Sequence, residues 1–165
     1  MIIRPLKHAD IDAVLTLNEV SVAVLSPLDR AALLQLIEQS ELAVVVELSP
    51  EAPVVAFMIA VGPGSDYASI NYAWFNQQYS DFLYIDRIVV DQQCRGQGIG
   101  GQLYSHINAW AQAHDIALLC AEIDIEPANT ASLQFHQHWG FTPVSTLTHH
   151  PKKIVSLQTK SITVS

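Results

Sequence analysis

Short apolar runs rich in β-branched residues alternate along the chain with segments whose apolar residues recur at helical spacing. Runs of the first kind are typical of strands, and periodic segments are typical of helices. A fold of mixed α and β class is therefore expected, with a hairpin between the second and third strands. The predicted strands are 2–5, 42–48, 54–61, 82–90, 118–125, 141–147 and 154–157, and the predicted helices are 9–21, 29–40, 99–114 and 129–139.

The segment 62–80 combines glycine, proline, serine and asparagine with five aromatic side chains. This composition predicts an aromatic-rich loop or an irregular helix rather than a disordered linker. Trp74 and Phe75 are candidates for the wall of a pocket, and coverage of the core is the alternative interpretation.

The predicted strand 82–90 is apolar on both faces, which indicates a central position in the sheet. Side chains alternate along a strand, so Tyr84 and Asp86 project to the same face as Val90. A carboxylate at such a place has either a functional role or a structural role beside an arginine or a helix N-terminus.

Composition restricts the class of protein. The chain has 165 residues and is 50% hydrophobic, which suits one domain over 1–165. Its net charge of -8 argues against nonspecific binding to nucleic acid. No apolar run approaches a membrane span and the N-terminus lacks a signal-peptide pattern, so a cytoplasmic location is expected. Cys94 and Cys120 are too few for a disulfide framework and lack zinc-site spacing, so no metal site is expected.

The sequence CRGQGIGG at 94–101 holds four of the seven glycines. Gly96, Gly98 and Gly101 match the G-x-G-x-x-G pattern of dinucleotide-binding folds. That interpretation fails because the first glycine stands too far beyond the end of the preceding strand and too little chain follows for the remaining strands. A Walker phosphate loop is excluded because Gln102, rather than Lys and Ser or Thr, follows the last glycine.

The pattern Arg95-x-x-Gly98-x-Gly100 after a strand that ends at Val90 resembles the acetyl-CoA loop of the GNAT superfamily of N-acetyltransferases. The opening IIRPLKHADID is similar to that family's first strand and helix, and IEPANTASLQFHQHWGF is similar to its second conserved block. The resemblance implies a mixed, mostly antiparallel central sheet flanked by helices. It also implies acetyl-CoA as the acetyl donor, an amine as the acceptor, and a tendency to form a homodimer.

The cofactor contacts that the resemblance implies are mostly backbone contacts. Glycines without Cβ let the CoA pyrophosphate approach, successive N–H groups donate to its oxygens, the helix dipole adds a favourable field, and Arg95 adds a fixed charge. The implied cofactor-binding residues are Ile88, Val89, Val90, Arg95, Gly96, Gln97, Gly98, Ile99, Gly100, Gly101 and Asn129.

The resemblance also implies the catalytic candidates. Members of the family place a base on the central strand at the offsets of Tyr84 and Asp86, and others on the next strand at the offset of Asp124. Asp86 is favoured as the base. His136 lies where the family commonly has a tyrosine as general acid, so the identity of the acid stays open. His136 is either that acid or a histidine that packs in the core. Trp74 and Phe75 become candidates for acceptor binding.

Three functions remain compatible with the sequence. The favoured one is direct acetyl transfer from acetyl-CoA to an amine, because no cysteine with a paired histidine is evident for a covalent intermediate. The second is a catalytically inactive module that binds or senses acyl-CoA. The third is transfer of another acyl group or transfer to an oxygen acceptor.

Overall fold

The structure is a computed structural model that describes residues 1–22, 25–149 and 152–164. Within these residues lie seven strands and five α-helices. The strands are β1 Ile2–Pro5, β2 Leu42–Glu47, β3 Val54–Val61, β4 Leu83–Val90, β5 Leu118–Glu126, β6 Thr142–His149 and β7 Lys153–Ser161. The helices are α1 Ile11–Glu19, α2 Arg30–Gln39, α3 Ile70–Gln78, α4 Ile99–Ala113 and α5 Thr130–His138.

The strands form one sheet in the order β1-β2-β3-β4-β5-β7-β6. The pairs β1–β2, β2–β3, β5–β7 and β6–β7 are antiparallel. The pair β4–β5 is parallel, with Leu83 opposite Leu119 and Tyr84 opposite Cys120. The predicted hairpin and the predicted mixed, mostly antiparallel sheet are therefore confirmed.

The chain groups into two compact units. The first unit contains Met1–Val61 and Ile85–Ile107, and the second contains Gly62–Tyr84 and Asn108–Ser165. In the first unit, α1 buries Ile11, Val14 and Leu17. That spacing of three residues is the stripe by which an amphipathic helix packs on a sheet.

The spacing of Ile99, Leu103, Ile107 and Trp110 predicts one apolar stripe on α4, and the first three are buried while Trp110 is half-buried. Ile99, Leu103 and Ile107 belong to the first unit and are at most 2% exposed. Their separation by four residues places them on one face of the helix. This packing holds the N-terminus of α4, which begins within the glycine stretch.

Side-chain caps explain where three helices begin. Asp29 accepts a hydrogen bond from Ala32 N at the start of α2, Ser69 from Tyr72 N at the start of α3, and Asn129 from Ser132 N at the start of α5. Such caps satisfy N–H groups that have no partner inside the helix. No helix among the described residues is long and apolar enough to cross a membrane.

Several predicted boundaries differ from the structure by one to four residues, and the largest difference is at β7, which was expected over 154–157 and spans Lys153–Ser161. The helix expected at 9–21 begins at Ile11, because His8–Asp10 forms a 3₁₀ turn and the Asp10 carboxylate bonds Lys7 N and the Arg4 guanidinium. The segment 62–80 contains a regular helix, α3, because Ser69 supplies a cap that the aromatic composition concealed.

Candidate active site

The glycine stretch connects β4 to α4 in the first unit. Asp91 N donates to Val55 O at 2.8 Å, and the Asp91 carboxylate accepts from Gln93 N at 2.8 Å. These two contacts hold the short 3₁₀ helix Gln92–Cys94, after which the chain turns through Arg95, Gly96 and Gln97. The start of the loop is therefore positioned by the preceding strand.

Gly96 and Gly98 both have left-handed backbone conformations, with φ of 75° and 79°. A residue with a Cβ atom is strained at such angles, so glycine is required for this path. A Cβ atom built on either residue would have no heavy atom within 4 Å. The loop thus leaves an open surface where the backbone is accessible.

The open loop ends at the N-terminus of α4. Gln102 N bonds Gly98 O at 3.0 Å, while the first N–H groups of a helix have no intrahelical acceptor. Gly100 and Gly101 lie in the first turn, and Arg95 and Gln97 are exposed. Unshielded N–H groups, the positive end of the helix dipole and a nearby arginine suit the phosphate groups of a nucleotide cofactor.

The last residues of β4 lead into this loop. Val89 is 3% exposed, whereas Ile88 and Val90 are half-buried. The alternation shows that Val89 packs inward while its neighbours project to the other face. Backbone groups at this end of β4 are the predicted contacts for the acyl end of the cofactor, and this remains a prediction.

Asp86 and Arg87 form a buried ion pair in the middle of β4. Arg87 Nε donates to Asp86 Oδ2 at 2.7 Å, and both side chains are 5% exposed. Successive residues of a regular strand project to opposite faces, yet these two charged groups meet. The candidate base is therefore held by its own neighbour in the sequence.

The Arg87 guanidinium also contacts α1, through Asn18, and the segment before α2, through Ser26. Its Nη1 donates to Asn18 Oδ1 at 2.9 Å and to Ser26 O at 3.2 Å. Asn18 is 1% exposed and donates through Nδ2 to the same Ser26 carbonyl at 3.2 Å. Hydrogen bonds thus join Arg87, Asn18 and Ser26 pairwise next to Asp86.

A chain of hydrogen bonds connects four residues in the second unit. Asn129 N donates to Asp124 O at 2.9 Å, and Ser132 N donates to Asn129 Oδ1 at 3.2 Å. His136 Nδ1 lies 2.8 Å from Ser132 O. The structure therefore brings together three predicted site residues, Asp124, Asn129 and His136. The Asp124 carboxylate itself contacts Lys153 Nζ at 3.3 Å.

His136 is 6% exposed and packs edge-on against Phe135 and Phe141. Burial lowers the pKa of this imidazole, while the bond to Ser132 acts in the opposite direction. Because a carbonyl oxygen only accepts, Nδ1 carries the proton in this bond and Nε2 of the neutral ring is an acceptor. This tautomer disfavours the donation of a proton from Nε2.

Tyr84 lies in an aromatic cluster of the second unit. It is fully buried, and its ring centroid is 5.7 Å from those of Tyr72 and Phe75. Phe75 is likewise fully buried and contacts Trp74, which is half-buried. Burial gives Phe75 a packing role, and acceptor binding by Trp74 and Phe75 stays a prediction.

Sequence reasoning missed Arg87, Asn18 and Ser26 in the first network, Ser132 in the second, and Lys153 beside Asp124. An arginine directly after an aspartate inside an apolar strand is itself a signal, because a buried charge requires a partner. Ser132 gave no such signal, since its shorter contact with His136 Nδ1, at 2.8 Å, is made by a backbone carbonyl; its Oγ also lies 3.2 Å from the same nitrogen. The two cysteines are Cys94, half-buried, and Cys120, a buried thiol whose pKa is raised by burial.

Comparison with known proteins identifies the family. The sequence matches the acetyltransferase (GNAT) family over residues 27–141. This match covers more than half of the chain, and the protein therefore belongs to the GNAT acetyltransferase family. A search of curated proteins gives no match.

Solved structures of N-acetyltransferases share the fold. A ribosomal-protein-alanine N-acetyltransferase from Brucella melitensis has a TM-score of 0.76 at 21% identity and covers 98% of this chain and 100% of its own. An N-acetyltransferase from Staphylococcus aureus Mu50 has a TM-score of 0.74 at 22% identity, with 98% of each chain covered. The yncA protein of Salmonella typhimurium, an acetyltransferase solved with acetyl-CoA, has a TM-score of 0.73 at 18% identity. The match covers 100% of this chain and 95% of the yncA chain.

Proposed function

We propose that the protein is an acetyl-CoA-dependent N-acetyltransferase that transfers the acetyl group directly to an amine. The observation that carries the proposal is the loop from Arg95 to Gly101, with Gly96 and Gly98 at positive φ and open space where a Cβ atom would lie. Membership of the GNAT family supports the same cofactor.

Acetyl-CoA supplies an activated thioester when it is bound. In the proposed complex, N–H groups of Gln97 to Gly101 donate to the pyrophosphate, and Arg95 adds a positive charge. Ile88 to Val90 offer backbone groups to the acyl end, and Asn129 contacts the cofactor from α5. The Asn129 side-chain oxygen already accepts from Ser132 N, so this residue stabilises α5 as well.

The acceptor must lose a proton to become a nucleophile. An alkylamine with a pKa of about 10.4 is almost fully protonated at pH 7.4, and its neutral form costs about 4 kcal/mol. We assign Asp86 as the base. Its carboxylate contacts Arg87 through Oδ2, and because a carboxylate has several lone pairs, that contact leaves it able to accept one proton from the acceptor.

Asp124 is the alternative base. Its side chain is 13% exposed and contacts Lys153, whose own side chain is 40% exposed. An ion pair with such an exposed partner is weak because water screens it. Asp124 is therefore less firmly held than Asp86, and substitution of each carboxylate in turn separates the two assignments.

The departing thiolate needs a proton. His136 is the sequence's candidate for this role, but its Nδ1 proton is used in the bond to Ser132 O. Donation from Nε2 would require a second proton on a ring whose pKa is lowered by burial. Tyr84, water and the acceptor's ammonium nitrogen in the tetrahedral intermediate are the other candidate donors, and substitution of His136 tests whether His136 contributes.

A covalent acetyl-cysteine intermediate is disfavoured. Cys120 is fully buried and burial raises its thiol pKa, so its reactive thiolate form is suppressed. Cys94 belongs to the 3₁₀ helix that begins the cofactor loop. Direct attack by the acceptor is the simpler course, and it requires acetyl-CoA and the amine to be bound together.

The test is CoA release with acetyl-CoA and a panel of polyamines, amino acids, aminoglycosides and peptides with free N-termini. Thiol release that depends on one amine class supports the proposal and identifies the acceptor. A rise in melting temperature with acetyl-CoA but no thiol release from any class would favour the inactive binding module. No rise in melting temperature with acetyl-CoA would overturn both.

A further inference from the structure

Asp86 and Arg87 place two charges inside a strand that is otherwise apolar. Both side chains are 5% exposed. Taking two charges out of water is costly, and replacing a buried ion pair by apolar residues is often neutral or stabilising. A gain in stability is therefore not a sufficient reason for this strand to carry the pair.

The Arg87 side chain has the geometry to control that carboxylate. Its guanidinium is a rigid fork, and Nε approaches Asp86 Oδ2 at 2.7 Å. Nη1 is held at the same time by Asn18 Oδ1 and Ser26 O. An arginine fixed at its far end has little freedom to rotate, so the carboxylate that it bonds is also fixed.

We propose that Arg87 is a positioning residue for the transfer reaction. It holds the Asp86 carboxylate in the orientation that receives the acceptor's proton, and it does so because Asn18 and Ser26 O hold Arg87. The inference rests on the proposed function, with Asp86 as base, and goes beyond it by giving this role to a residue that does not itself exchange a proton.

The charge of Arg87 is not sufficient for this role. Lysine would keep the positive charge, but its single ammonium group cannot bond Asp86 through one nitrogen and Asn18 and Ser26 O through another. Arg87→Lys is therefore the diagnostic variant, because it removes the fork and retains the charge. Asn18→Ala removes only one of the groups that hold the fork.

The test is a double-mutant cycle in turnover with Asp86→Asn, Arg87→Lys and the two combined. We expect a loss of about a hundredfold in kcat for Asp86→Asn and at least tenfold for Arg87→Lys. The double variant should be no slower than Asp86→Asn alone, because Arg87 acts through Asp86. Asn18→Ala should cause a smaller loss that also disappears in the Asp86→Asn background.

Arg30→Lys is the matched control, since Arg30 pairs with Asp12 at the exposed surface and should leave kcat unchanged. The melting-temperature rise with acetyl-CoA should persist in every variant, because no substitution lies in the cofactor loop. A variant that shows no such rise is misfolded. If Arg87→Lys is misfolded, the comparison uses Asn18→Ala instead, and the loss of kcat that Asn18→Ala causes must disappear when Asp86→Asn is also present.

Three results would overturn the proposal in distinguishable ways. Losses that multiply in the double variant would mean that Arg87 acts independently of Asp86, while the acetyltransferase activity stands. A full rate with Asp86→Asn would remove the base assignment and the positioning role together. Absence of CoA release by the wild-type protein with every amine class would remove the proposed function, and the positioning role with it.

Discussion

His136 donates its Nδ1 proton to the carbonyl oxygen of Ser132 one turn earlier in α5, at 2.8 Å. The ring is buried, and burial lowers its pKa. An unfolded chain returns the imidazole to a pKa near 6.5. The unfolded state therefore takes up a proton at a higher pH than the folded state does.

This difference predicts how stability depends on pH. Well above pH 6.5 the ring is neutral in both states, so it adds nothing to the pH dependence of stability. As the pH falls through about 6.5 the unfolded state gains the proton first, so stability decreases until the folded ring also titrates. Melting temperatures at pH 7.5 and pH 5.5 should thus differ more for the wild-type protein than for His136→Phe.

His138→Phe is the control for this measurement, because His138 is exposed on the same helix. It should show the wild-type difference between the two pH values. An unchanged pH dependence in His136→Phe would show that His136 titrates equally in the two states, contrary to the burial seen in the structure.

The second prediction concerns the same residue in turnover. If His136 protonates the thiolate, His136→Phe lowers kcat by about a hundredfold, because general acid catalysis contributes on that scale. Acetyl-CoA affinity should then stay nearly constant, since sulfur gains charge only in the transition state. His136→Tyr should retain much of the rate. Unchanged turnover in His136→Phe would leave the residue a purely structural role.

The third prediction concerns the cofactor loop. Gly98→Glu should abolish the melting-temperature rise with acetyl-CoA, because a carboxylate would meet the pyrophosphate. Gly64→Glu is a matched control, since Gly64 also has positive φ, at 76°, and open space at Cβ. Both changes impose similar backbone strain of about 1–2 kcal/mol. Loss of the rise in both variants would attribute the effect to strain rather than to the loop.

The fourth prediction separates two roles of Asn129. Asn129→Ala removes the cap of α5 and should lower the free energy of unfolding by about 1 kcal/mol, measured by urea titration. Ser69→Ala removes the equivalent cap of α3 and should cost a similar amount. Only Asn129→Ala should also weaken acetyl-CoA binding. Equal acetyl-CoA affinity in the two variants would limit Asn129 to its capping role.

The fold was predictable because its signals are local. The spacing of Ile99, Leu103 and Ile107 predicts α4, and the alternation of apolar runs predicts the strands. For α3 the sequence left a loop or an irregular helix as alternatives, because the start of this helix depends on one serine cap within a segment whose composition is typical of a loop. Glycine-rich composition likewise indicated the loop, since positive φ restricts the residue type directly.

The contacts within the candidate site were less predictable. Arg87 contacts Asn18, which lies 69 residues earlier in the sequence, and no local pattern predicts a contact across such a separation. The His136 tautomer depends on a backbone carbonyl, which every residue possesses. Local sequence therefore predicted candidate residues for the chemistry, whereas their protonation and orientation depend on the tertiary structure.

The last prediction concerns the base. Asp86→Asn should lower turnover with an amine by about a hundredfold at neutral pH, because the acceptor then has no group to take its proton. Raising the pH should restore part of the rate, since a growing fraction of the amine is neutral in solution. The measurement is kcat/KM from pH 6.5 to 9.5 for both proteins.

Asp124→Asn is the matched comparison, because Asp124 is a carboxylate on the next strand of the sheet and also contacts a cation. It should lose less activity than Asp86→Asn, and its loss should not diminish at high pH. Asn occupies nearly the volume of Asp, so both variants retain packing and differ from wild type in one charge. If Asp124→Asn shows the larger loss and the recovery at high pH, the base lies on β5, and Asp86 serves only to neutralise Arg87.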